Sequence, residues 1–167
     1  TFAAFAYVLA VVPLGTAKAA VEQFTATMRN RASTYTGSRV AELGPVQARI
    51  AEAAACVEFA ETVIRRDWTD LEEAVDRNEF PTMETKLRWK RNAAFATGLA
   101  VRSIDTLMPA AGAAGLSLQL PLQRQFRDIH RHIRTQWIHA HYTTSGNVIN
   151  IECLNYRAIS SAHRENS

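Results

Sequence analysis

Glycine is scarce in this 167-residue chain, at seven residues, and so are proline, at five, and cysteine, at two. The first two shortages exclude collagen-like and low-complexity disordered classes, and the third excludes a disulfide-rich scaffold. Cys56 and Cys153 lie far apart and form no C-x-x-C, so neither a zinc site nor a disulfide framework is indicated. A reduced, cytoplasmic protein is the default expectation. Long hydrophobic runs are also missing. The longest, Phe2 to Leu14, is interrupted by Pro13 and falls short of the roughly 18 residues that suggest a membrane span. It has neither the basic start nor the small-residue cleavage site of a signal peptide. Charge of one sign is lacking too: 19 basic against 16 acidic residues give a formal +3, spread along the chain and too mild to argue for nucleic acid. There is no G-x-S-x-G, no G-x-x-x-x-G-K-[ST] and no G-x-G-x-x-G after a strand, so the common nucleophile and phosphate-binding signatures are absent.

What the chain does have is apolar residues, 47% of the total, recurring at helical spacing. Leu14, Ala17, Val21, Phe24 and Met28 share one face of a first helix, with Arg29 and Arg31 where positive charge suits a helix end. Ala32 to Gly44 reads as a loop. Pro45 then opens a second helix whose buried face runs through Val46, Ile50, Ala53, Val57, Ala60, Ile64 and Leu71. Pro81 and Thr82 open a third helix, with Trp89, Ala93, Ala96, Ala100, Ile104 and Leu107 on its face, and Pro109 with the small-residue run to Gly115 breaks it. Pro121 starts a fourth, with Leu122, Phe126, Ile129, Ile133, Trp137 and Ala140 aligned, ending between Thr143 and Asn147. The expected fold is all-α, an antiparallel up-and-down four-helix bundle, with residues 1–167 as one domain. At this length roughly two-thirds of the unfolded surface can be buried, enough for a core without staples. Because the chain opens at Thr1 inside an apolar segment, it reads as a piece of something longer.

Two clusters invite chemistry. His130, His132, His139 and His141 fall within twelve residues. Residues two apart on a helix point about 200° from each other, so neither H-x-H pair chelates one ion, and no metal is expected. Arg124, Arg127, Asp128, Arg131 and Arg134 line the same helix. They read as a charged surface face with a partly buried arginine–aspartate pair, and anion binding is the alternative, since guanidinium forks suit phosphate. Bulky side chains are absent from Ala110 to Gly115, which lets backbone approach another surface closely.

The order of these features resembles a known family. L-G-T-A-K-A-A (Leu14 to Ala20), a basic Gly-containing loop, P-V-Q-A-R-I-A-E-A-A-A (Pro45 to Ala55), then A-G-A (Ala111 to Ala113) before L-P-L-Q-R-Q-F-R-D-I (Leu120 to Ile129) is similar to the C-terminal helical domain of the acyl-CoA dehydrogenase superfamily. The form P-L-Q-R-x-[FW]-R-D is more like its two-component flavin-dependent monooxygenase branch. That resemblance implies a cofactor, reduced flavin as FMN or FAD, supplied by a flavin reductase component. It also implies a small organic substrate that is hydroxylated with oxygen, and a homo-oligomer, a tetramer, whose interface the bundle builds. It makes Arg29 or Arg31 the flavin-contacting arginine and Gly112 with Ala113 the close-approach turn, and gives Arg124, Arg127 and Asp128 a chiefly structural role. The branch's histidine, seven residues after the aspartate, is replaced here by Thr135, and His132 is the substitute expected in the catalytic role. The family's other domains are not in these residues, so the isolated segment is expected to be inactive. Two rival readings stay open: the same domain of an acyl-CoA dehydrogenase, and a non-enzymatic helical assembly module.

Overall fold

A computed structural model describes residues 5–32, 37, 39–112 and 120–144, with side chains described for 7–32, 37, 39–112 and 120–132. The chain divides into two compact units, Thr1–Arg131 and His132–Ser167. Four helices follow one another: α1 (Phe5–Asn30), α2 (Gly44–Asp76), α3 (Met83–Ala111) and α4 (Pro121–Thr144), with one 3-10 turn at Val40–Glu42 between the first two. Among the described residues there is no strand, only an isolated bridge between Ala32 and Arg39.

Local chemistry sets the ends. Pro45 occupies the first turn of α2, where its missing N–H costs nothing. The Thr82 hydroxyl accepts the Thr85 N–H at 3.2 Å and caps α3. Asn78, just past α2, takes the left-handed φ of 54° that asparagine tolerates. Two prolines lie inside helices. Pro13 sits within α1, and α3 runs two residues past Pro109, where the sequence predicts a break, before Gly112 caps it. Each proline removes one backbone donor. Pro13 is buried, so packing offsets the lost bond, and Pro109 sits in a last turn where little helix remains to disrupt.

The core lies where α2 packs along α3 and α1 packs along both. Its seam is alanine: Ala17 and Ala20 of α1, Ala53 and Ala60 of α2, and Ala93, Ala96 and Ala100 of α3 are all buried. Small side chains let helix backbones approach, while Phe24, Trp89, Ile104 and Leu107 fill the space around them. The buried faces are those the spacing predicts for α1, α2 and α3. On α4, Leu122 and Ile129 are buried and Phe126 packs against the core; the side chains of Ile133, Trp137 and Ala140 lie outside the described residues.

Candidate functional site

Helices α1 and α3 finish at the same end of the Thr1–Arg131 unit, and a single guanidinium joins them. Arg31 Nη1 donates to the Ala111 carbonyl at 3.1 Å, satisfying one of the orphan acceptors at the end of α3. The Arg31 backbone is itself fixed, donating to the Met28 carbonyl at 3.3 Å and accepting from Val40 N–H at 2.9 Å. The next residue, Gly112, has φ 61° and ψ −152°, a conformation side chains avoid, and its N–H returns to the Pro109 carbonyl. Gly112 is exposed, and an added Cβ would meet no atom within 4 Å. Its glycine therefore answers a backbone requirement and leaves the corner open to whatever approaches. Arg29, two residues earlier at the end of α1, is exposed, and its side chain has no hydrogen-bond partner among the described residues. So the arginine segment and the glycine turn, chosen on sequence grounds, do come together. Ala113 lies outside the described residues.

The histidine helix is resolved into separate roles. His130 Nε2 lies 2.8 Å from Asp105 Oδ1 on α3, with the Phe126 ring tilted over the imidazole at 4.4 Å. His132 is half-buried and belongs to the second unit. The side chains of His139 and His141 lie outside the described residues. Among the described residues no group of three or more His, Cys, Asp or Glu is placed to hold a metal ion. The Arg124–Asp128 pair, expected to be partly buried, is instead solvent-facing: the side chains are 79% and 58% exposed and meet at 3.5 Å. Screening leaves such a pair worth little.

Sequence reasoning missed the most heavily bonded polar group. Asp67 is fully buried between the helices at the other end of the unit, and three donors converge on it. Tyr7 Oη donates to Oδ2 at 2.6 Å, Asn92 Nδ2 to the same oxygen at 2.6 Å, and Arg66 Nη2 to Oδ1 at 3.0 Å. Burial alone would push this carboxyl up, but the hydrogen bonds from Tyr7, Asn92 and Arg66 outweigh it and hold Asp67 below its ordinary value. Tyr7 moves the opposite way. Burial first, then the bond and charge of Asp67, raise its phenol well above the usual range. The signal was present in the spacing: Ile64, Asp67 and Leu71 continue the buried stripe of α2, so an acid stood at a core position. A cavity of about 250 Å³ opens near this end, at the α2–α3 turn, lined by Arg77, Phe80, Arg88 and Trp89 among others. It is therefore remote from the Gly112 corner.

This geometry has counterparts among known proteins. Residues 7–141 match the acyl-CoA dehydrogenase C-terminal domain family, and the chain belongs to it. Over 126 residues it is 36% identical to the oxygenase component of p-hydroxyphenylacetate 3-hydroxylase from Acinetobacter baumannii, covering 75% of this chain and 30% of that one. It is 32% identical over 108 residues to the oxygenase component of an FADH2-dependent resorcinol hydroxylase from Rhizobium sp. (strain MTP-10005), covering 60% and 26%. XiaF from a Streptomyces species, solved in complex with FADH2 and glycerol, superposes with a TM-score of 0.73 at 27% identity over 79% of this chain and 34% of that one. The chain thus spans about a third of the length of the relatives it matches.

Proposed function

We propose that the chain is the C-terminal part of the oxygenase component of a two-component flavin-dependent monooxygenase, and that the whole protein hydroxylates a small phenolic substrate. The observation that carries this reading is the 36% identity, over 126 residues, to the oxygenase component of p-hydroxyphenylacetate 3-hydroxylase. Two relatives whose descriptions name FADH2 favour reduced FAD over FMN. A flavin fits the corner in kind: an exposed glycine backbone admits a flat ring edge, and an unpaired Arg29 offers charge to a flavin oxygen or phosphate. When bound, the reduced flavin supplies the electrons that activate oxygen for transfer of one atom to the ring, chemistry no side chain provides.

In this reading the two arginines divide the work. Arg29 contacts the flavin, while Arg31, its Nη1 already donated to Ala111, positions the backbone leading into Gly112. His132 handles a proton at the substrate or flavin edge. The helices supply one wall that excludes water, and other parts of the polypeptide complete the pocket. Partners are a flavin reductase and further copies of the chain in a tetramer; the exposed Phe59 and Phe95 on the outer faces of α2 and α3 are apolar surface such an assembly would cover. No described helix is long and apolar enough to cross a membrane, and a cytoplasmic location is part of this proposal.

The test is turnover by the full-length gene product. With reduced FAD, oxygen and p-hydroxyphenylacetate or resorcinol, a hydroxylated product is expected. Oxidation of acyl-CoA thioesters with an electron acceptor, and no phenol hydroxylation, would reject it in favour of the dehydrogenase branch. A full-length protein that takes up no flavin would leave only an assembly module.

A further inference from the structure

Within the Thr1–Arg131 unit α2 packs along α3 and α1 along both. The described part of α4 meets them through named side chains. Leu122 and Ile129 are buried, Gln125 Nε2 donates to Gln23 Oε1 of α1 at 3.1 Å, and His130 reaches Asp105 of α3. Apolar contacts hold a helix near its neighbours but fix its rotation and axial register weakly, because they are non-directional. A hydrogen bond between two defined atoms fixes both.

Asp105 is well placed for that purpose. It stands seven residues before Gly112 on α3, which brings the two onto the same side of the helix, about 10 Å apart along its axis. A carboxylate can only accept, so His130 carries its hydrogen on Nε2. The Phe126 ring, one turn earlier on α4, covers the imidazole and limits its rotamers. On the α3 side, Arg102 pairs with Glu52 and Arg49 donates to the Thr106 carbonyl.

We propose that His130 is a positioning residue, a directional clasp that through Asp105 sets the register of α4 on the side of α3 that ends at the Gly112 corner. The importance of that corner rests on the flavin reading above; the clasp itself does not. Its consequence is that the bond to Asp105, with Phe126 as its cover, fixes the N-terminal half of α4 against α3, while Gln125 ties it to α1.

Amide exchange of residues 122–130 in the full-length, unliganded protein tests the clasp, with anaerobic titration of reduced FAD as a second readout. His130→Leu and Asp105→Ala should each accelerate exchange about threefold or more, the size of one net hydrogen bond. His130→Gln, whose amide N–H can take the place of Nε2, should restore most of the protection. The double variant H130L/D105A should be no worse than either single one. Equal exchange in H130Q and H130L, or additive losses in the double variant, would overturn the proposal. If exchange responds as expected while FAD affinity stays unchanged in H130L, the clasp stands and the flavin reading of the corner fails.

Discussion

At one end of the Thr1–Arg131 unit three helices close on a buried carboxylate, with Tyr7, Asn92 and Arg66 all donating to Asp67. At the other, about 36 Å away along α1 if its rise is counted from Tyr7 to Arg31, the contacts are spent on backbone, and a glycine and an arginine stay exposed. The first arrangement buries Asp67 completely, out of reach of any outside group. The second spends one guanidinium on the end of α3 and leaves Arg29 and Gly112 exposed. A buried polar network rigidifies, whereas a corner of bare backbone is where something else can be recognised. Polar residues at the two ends thus serve opposite purposes, although both tie α1 to α3.

Removing the carboxylate is the most severe way to break that contrast. Asp67→Ala strands the Tyr7 hydroxyl and the Asn92 amide in the core and should cost about 3 kcal/mol in urea unfolding. Because Asp67's folded value is lowered, its contribution is fully present above the ordinary carboxylate range, near pH ~4, and fades as pH falls through the folded value. The stability gap between wild type and Asp67→Asn should therefore narrow in acid and not in base; a gap widening below about pH 4 would contradict the assignment. Tyr7→Phe removes one of the donors and should cost about 1–2 kcal/mol. With the phenol raised, that loss should stay flat between about pH 6 and 9.

Smaller effects sharpen the other end. Gly112→Ala should destabilise by about 1–2 kcal/mol through strain alone, since the new methyl meets nothing within 4 Å. Gly98→Ala is its control: that glycine is exposed inside α3 with equal room and no positive φ, so alanine should stabilise by about 0.5–1 kcal/mol. Like signs for the two, measured as thermal midpoints, would refute the conformational explanation of the corner. Arg31→Gln should cost about 1 kcal/mol, whereas Arg29→Gln should leave stability nearly unchanged and weaken reduced-flavin binding in the full-length protein. Equal stability losses at both arginines would erase the division of labour between them.

Much of this was legible in the residues. The stripes of α1, α2 and α3 place Phe24, Ala53, Ile64, Trp89 and Ile104 in the core where their spacing predicts, and Pro45, Thr82 and Pro121 mark true helix starts. Pro109 misled because a proline's local cost is fixed by chemistry, while its compensation depends on where in the helix it falls and what packs around it. Asp67 hid in plain view for a related reason. Its register was readable, but nothing local announces that Tyr7, 60 positions earlier, and Asn92, 25 later, supply its donors. Likewise the histidine cluster was visible as a cluster, yet only the fold selects His130 as the partner of Asp105.

The linear order of residues determined by itself which segments become helices and which face of each is apolar, because both follow from propensities and periodicities spanning a few residues. Tertiary structure alone decided which arginine is spent on Ala111, which is left exposed, and which acid may be buried and ionised. Those outcomes depend on donors and acceptors from distant segments meeting within 3 Å or so, a distance set by packing and not by sequence separation.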